Sequence, residues 1–432
     1  MSLGLQRSLF PELLIERPSD QASSSTFADN LRLPCHRWFR FSAGFSAQWV
    51  NSVIGQTKQA GEVRLLDPFA GCGTTVLAAE ESHVKAIGLE AHPFLVRVGQ
   101  AKLRRGSDPN RFRQLAREVR AAAKHQTAST EHYPALIHKC YHRPALERLD
   151  SLRRAVESAR DDSPEWELVW LALVSSLRAS SYVNTAQWQY ILPNKTKKNV
   201  IDSLDSFDLR VSMFFRDMLG FADIPQDVRG EIVNCDARTC EIVPDGFATL
   251  VVTSPPYPNN YDYADATRLE MSFLGEICGW SDLQAKVRRH LVRACSQHVP
   301  QRAVDLDRTL AASELEPIRK EITDVCAQLQ EIRKTKGGKK TYHLMVACYF
   351  LDLARVWRSL RRVCDTPSRL CFVVGDSAPY GVYVPVFKWL TSLAEAAGFG
   401  ACRFEKTRDR NIKWKNRKHR VPLSEGRLWV EG

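Results

Sequence analysis

The chain has 432 residues, 44% of them hydrophobic, and a formal net charge of +12 from 61 Lys and Arg against 49 Asp and Glu. That length supports one large domain or two ordinary ones, and no apolar run approaches the roughly 20 residues of a membrane span. Arg7, Glu12, Glu16 and Arg17 break up any signal-peptide core, so a cytoplasmic protein is expected.

The charge excess suits a polyanionic partner such as nucleic acid. The twelve cysteines form no CxxC pair. They read as small buried hydrophobes, and no metal site is expected.

Residues 1–34 read as a loose N-terminal arm. An aromatic segment follows, from Trp38 to Trp49, with a helix capped by Ser46 in its second half. Val63–Leu66 reads as a short apolar strand, residues 67–75 as a glycine-rich turn, Val76–Ser82 as a helix, and Val84–Leu89 as a second strand ended by Glu90. This is one strand–helix–strand unit of a parallel sheet. Residues 101–230 read as a mostly helical insertion, in which Ser163 caps a strongly apolar helix with proline at its first position. Strands return at Glu231–Asn234 and Ala248–Val252. Residues 258–340 read as polar and helical, with a basic stretch from Arg333 to Lys340. An amphipathic helix spans Tyr342–Arg362, and a buried strand spans Arg369–Val374. A helix over Val384–Ala397 and a hairpin near 401–407 and 426–431 close the chain. The division is therefore 35–100 and 231–432 as two halves of one α/β domain, with the insertion between them.

The turn between the first two strands is followed by threonines, not by GK[ST], which excludes a phosphate-cradling P-loop. Asp67 ends the first strand and Glu90 the second, so both carboxylates face one crevice at the carboxyl ends of the strands. A carboxylate after the second strand is suited to gripping ribose hydroxyls. Asp67 is placed to meet a cationic amine. After a later strand comes Thr253-Ser254-Pro255-Pro256-Tyr257. Two prolines stiffen the exit and leave carbonyls outside any ladder. Those carbonyls and the Ser254 hydroxyl can accept hydrogen bonds from an exocyclic amino group, and Tyr257 offers a face for an extruded base.

Asp67-Pro-Phe-Ala-Gly-Cys-Gly-Thr-Thr75 and Thr253-Ser-Pro-Pro-Tyr257 together resemble the cofactor loop and catalytic loop of amino-methylating DNA methyltransferases. The resemblance implies a Rossmann-like methyltransferase sheet with helices on both faces and S-adenosyl-L-methionine as cofactor. It assigns cofactor contacts to Phe45, Asp67, Pro68, Phe69, Gly71, Gly73, Thr74, Glu90, Asp236 and Thr253, and catalysis to Ser254, Pro255, Pro256 and Tyr257. Double-stranded DNA is the implied substrate, and a cognate restriction or defence nuclease is a candidate partner. Ser-Pro-Pro-Tyr is more often seen in cytosine-N4 enzymes, with adenine N6 the alternative and an RNA amino-methyltransferase further off. A cytosine carbon-5 enzyme would need its Pro-Cys nucleophile after the cofactor strands, whereas Pro34-Cys35 precedes them.

Asn260, Tyr261 and Tyr263 are expected to shape the base pocket or contact the substrate strand. Residues 406–420 hold eight Lys or Arg and one acid around Trp414. That loop reads as a phosphate clamp through Arg408, Arg410, Lys413, Lys415 and Arg417. The chain departs from the family's compact pattern in the roughly 140 residues between Glu90 and Asp236, which mark the insertion as a candidate target-recognition region.

Overall fold

The structure, a computed structural model, describes residues 29–41, 44–186, 189–221, 228–259, 261–299, 304–337, 340–410 and 421–432. Its strands are β1 (Arg64–Asp67), β2 (Lys85–Glu90), β3 (Val183–Thr185), β4 (Ile191–Thr196), β5 (Glu231–Asn234), β6 (Ala248–Thr253), β7 (Cys364–Gly375), β8 (Cys402–Asp409) and β9 (Ser424–Glu431). Seven of them form one sheet in the order β5-β2-β1-β6-β7-β9-β8. The first five are parallel to one another, while β9 runs antiparallel to both β7 and β8. Strand order reverses between β1 and β6, which makes their carboxyl ends the switch point where α/β sheets open a crevice.

Alternation along the central strands sends side chains to two separate cores. Leu65, Leu250, Val252, Cys371 and Val373 pack under the helices Ala47–Lys58 and Thr74–Glu81. Leu66, Val251, Leu370 and Phe372 pack against the helices Arg319–Thr335, Tyr342–Val363 and Val386–Ala396. The sheet therefore carries helices on both faces, as a Rossmann-like methyltransferase fold does. In the helix 342–363 Trp357 is fully buried and stacks on Phe372 at 4.3 Å. Burying one such ring stabilises the fold by about 2–3 kcal/mol.

The chain between β2 and β5 holds the helices Pro93–Leu103, Pro109–Ala122, Ala135–Cys140, Arg143–Ser158, Pro164–Ser180 and Ser203–Met218. Ser163 caps the fifth of these, accepting from the Trp166 amide at 3.1 Å. A small antiparallel hairpin, β3–β4, interrupts the helices of this mostly helical segment. The insertion shares a core with the aromatic N-terminal segment, where Trp38 stacks on Phe214 at 4.3 Å. A fully buried pair, Arg105–Glu80 at 2.6 Å, ties it to the helix after β1.

Between 258 and 318 the expected long helices are absent. Among the described residues the elements there are short and include Arg268–Phe273, Trp280–Leu283, a π-helical Gln284–Arg288 and Leu306–Leu310. Gly275 adopts a φ of +74° and stops the first of them. All twelve cysteines are free and ten are buried. No helix among the described residues is long and apolar enough to cross a membrane.

Candidate active site

Asp67 is the last residue of β1 and is 2% exposed. Its carboxylate accepts from the Phe69 amide at 3.0 Å and from the Thr253 hydroxyl at 2.6 Å. Burial raises its pKa to about 6, and these bonds hold the rise in check. The loop beyond it turns through Gly71 and Gly73, with φ of +55° and +91°. A Cβ on Gly73 would lie 2.7 Å from the Ile232 side chain, so glycine is required there by conformation and by space. The Gly73 carbonyl then accepts from Leu77 and starts the helix 74–81.

Glu90 closes β2. One carboxylate oxygen accepts from the Gly71 amide and the other from the His92 amide, both at 2.8 Å. Two backbone donors thus aim the carboxylate across the loop while leaving lone pairs toward the cleft. Burial pushes its pKa up to about 7, and the charge of Asp67 adds to the rise. Asp236, just past β5, is forked by Arg238, whose Nε reaches both carboxylate oxygens at 2.9 Å. Arg238 also donates to the His290 carbonyl at 3.1 Å, which fixes that acid to the opposite wall.

Ser254 leaves β6 at the switch point. Its hydroxyl donates to the Val373 carbonyl at 3.2 Å, so its oxygen is left as an acceptor. The Tyr257 amide donates to the Tyr263 hydroxyl at 3.1 Å. The Arg410 guanidinium lies 4.9 Å from the Tyr257 ring centroid and donates to the Asp376 carbonyl at 2.6 Å. Gly375 closes this packing. A Cβ there would meet Arg410 at 2.9 Å and Tyr257 at 3.2 Å.

One cleft of about 660 Å³, open to solvent, gathers much of this set. Pro68, Phe69, Gly71, Glu90, Asp236, Ser254, Pro256 and Tyr263 line it. A smaller adjoining cavity is lined by Phe45, Asp67, Phe69, Thr74 and Ser254. Phe41 and Ser254 border both spaces. Thr253 is fully buried beneath. Gly73, Pro255 and Tyr257 lie outside both linings.

Among the lining residues that carried no assignment in the sequence are Phe41, His92, His290, Leu291, Val292 and His298. Phe41 sat in the aromatic segment but gave no periodic signal. The His298 ring contacts Asp262 at 3.0 Å and the Val292 carbonyl at 3.2 Å. Burial is the largest influence and opposes its charge, yet the bonds and charges of Asp262 and Cys295 together outweigh it and lift the pKa to about 10. Arg288 shares the Asp262 carboxylate through Nε at 2.9 Å. Asp262, Cys295 and His298 have donor atoms within 4.8 Å of one another, but Arg288 already engages the carboxylate that a cation would need.

The residues expected to touch DNA are scattered. Tyr261 is buried and packs on Tyr263 at 4.2 Å. Arg408 pairs with Glu425 at 2.6 Å at the sheet edge, and Arg410 turns inward against Tyr257. Asn260, Lys413, Lys415 and Arg417 lie outside the described residues.

Two carboxylates in amide cradles, a forked third acid and a hydroxyl acceptor on a stiff loop can together hold a polar ligand beside an amino-bearing ring. The chain is similar to Type II methyltransferases. It is 25% identical over 407 residues to M.AvaI of Nostoc sp. and of Anabaena variabilis, covering 87% of this chain and 81% of each relative. It is 22% identical over 419 residues to M.BsoBI of Geobacillus stearothermophilus, covering 87% of this chain and 80% of that one. No protein-family model matches.

Proposed function

We propose that the chain transfers a methyl group from S-adenosyl-L-methionine to an exocyclic amino group of a base in double-stranded DNA, with cytosine N4 the favoured target. One observation carries the reading. Asp67 and Glu90 from one side of the switch point, and Ser254 from the other, converge on adjoining spaces that Phe69 borders on both sides. The relatives' name supports the reaction class. As proposals of the same reading, the halves 35–100 and 231–432 form the methyltransferase unit, residues 101–230 read the target, and a nuclease acts on the same sites.

The residues fit the cofactor. Glu90, oriented by two amides, can accept from the two ribose hydroxyls. Asp236 can accept from the adenine amino group, and Asp67 faces the cationic end. Phe45, Pro68, Phe69, Gly71, Gly73, Thr74 and Thr253 complete that contact set. When bound, the cofactor supplies an electrophilic sulfonium methyl.

The protein's own work is positioning. Ser254 has committed its proton to Val373, so it accepts from the base amino group, as does the Pro255 carbonyl. Both bonds keep the nitrogen lone pair out of conjugation and stabilise the positive charge that grows on it. Pro256 holds the loop stiff, and Tyr257 provides the stacking face for the extruded base. Ser254 in place of an Asp or Asn is what favours cytosine, with adenine N6 the alternative.

Sequencing genomic DNA from cells expressing the protein, with detection of modified bases, tests the proposal. N4-methylcytosine at one recurring sequence is expected. N6-methyladenine would move the target, and methyl incorporation only into RNA would overturn the reading.

A further inference from the structure

The segment from Trp280 to Val292 carries a surface that this scheme leaves unused. Its last three residues, His290, Leu291 and Val292, line the cleft. Its first, Trp280, is 50% exposed and is the only exposed tryptophan among the described residues. The ring is nevertheless held firmly. The Arg268 guanidinium lies 4.1 Å from its centroid and the Arg288 guanidinium 5.0 Å. Each arginine is itself anchored, Arg268 by Asp265 at 2.7 Å and Arg288 by Asp262 through Nε at 2.9 Å. The intervening π-helical turn is a local distortion of a kind that recurs at functional sites. It leaves Lys286 and Arg289 exposed, and Arg289 makes no ion pair among the described residues. A pre-set aromatic face beside exposed cations has the chemistry that recognises an unstacked nucleotide. The base stacks on the ring, and the cations neutralise phosphates.

We propose that Trp280 is a stacking surface for a nucleotide next to the methylated base, with Lys286 and Arg289 on the adjoining phosphates. This rests on the reading of the cleft as a DNA methyltransferase site. Extruding a base deprives its neighbours of a stacking partner. A ring anchored at the start of the segment that walls the cleft replaces that partner with no reorganisation of the protein.

The intact protein tests this in three assays: methyl transfer from tritiated S-adenosylmethionine to mixed-sequence bacterial genomic DNA, DNA binding by fluorescence anisotropy across a salt series, and cofactor binding by calorimetry. Trp280→Ala should raise the KM and Kd for DNA by about 5- to 150-fold, with kcat and cofactor affinity within about twofold. Trp280→Phe should recover most of the loss. Lys286→Ala with Arg289→Ala should lower the slope of log Kd against log salt by about two. A Trp280→Ala protein whose KM and Kd for DNA stay within about twofold of wild type overturns the proposal. So does one in which sedimentation shows a changed oligomeric state while DNA affinity holds. Wild-type protein that binds cofactor yet methylates no DNA sinks the reading of the cleft instead, and the anisotropy arm still decides whether Trp280 binds DNA.

Discussion

The Thr253 hydroxyl donates to the Asp67 carboxylate at 2.6 Å, joining the ends of β6 and β1 where the strand order reverses. Both residues are almost wholly buried. The Thr253–Tyr257 loop and the glycine-rich loop thus start from one hydrogen bond. Thr253→Val keeps the shape and removes the donor. Loss of about 2 kcal/mol of stability is expected, the usual worth of a bond to a buried charged group. Cofactor affinity should fall with it, because Asp67 then holds its charge less readily. Chemical denaturation and calorimetry on the same variant measure both.

Glu90 sets a pH dependence. Its pKa is raised from 4.5 to about 7 in the folded chain, and it accepts hydrogen bonds best as a carboxylate. Cofactor binding should therefore tighten as pH rises through about 7. Glu90→Gln should flatten that profile and weaken binding at pH 8 by about tenfold or more. Stability runs the opposite way. A carboxyl that keeps its proton longer when folded contributes most below 4.5, and that contribution is lost as pH rises through about 7. Calorimetric titrations at several pH values, with melts alongside, separate the two trends.

Gly375→Ala probes Tyr257 from behind. The new methyl would press on Arg410 at 2.9 Å and on the Tyr257 ring at 3.2 Å. The arginine can swing away, but the ring must shift by a few tenths of an ångström. Turnover should fall by about tenfold, in line with the sensitivity of positioned groups to small displacements. Cofactor affinity should not move. Single-turnover methylation compared with calorimetry is the check.

Ser254→Ala and Tyr257→Ala should each slow methyl transfer while leaving cofactor binding intact. For Tyr257→Ala the loss of a stacked base predicts about 5- to 150-fold. Tyr257→Phe keeps the ring and should retain most activity. Rapid-quench measurements at saturating cofactor distinguish the three.

Arg105→Ala leaves Glu80 buried without its partner at 2.6 Å. A loss of about 3–5 kcal/mol is expected, as when half of a buried pair is removed. Equilibrium unfolding reads it directly.

How much of this was legible in the sequence follows from distance along the chain. Asp67, Gly71, Gly73 and Glu90 sit within one strand–turn–helix–strand unit whose punctuation is local. Ser254 and Pro256 announce themselves by proline stiffness after a strand. By contrast, Phe41, His298 and Leu291 reach the cleft only because distant segments fold over it, and no periodicity marks them. Residues 258–340 read as polar and helical, yet the turns of the first part centre on Asp262 and its contacts to Arg288 and His298. The hairpin β3–β4 was missed because its strands are short and polar. Arg410 belonged by composition to a solvent-facing basic loop, but Gly375 opens a slot that draws it under Tyr257.

That missed hairpin has a reach beyond its size. Tyr190, beside β4, receives a hydrogen bond at its hydroxyl from the backbone amide of Asp262, the residue that also holds Arg288 and His298. The long excursion between β2 and β5 thus has a foothold on the backbone that follows Tyr257. The insertion is thereby tied to the segment after Tyr257 as well as to the helix that follows β1.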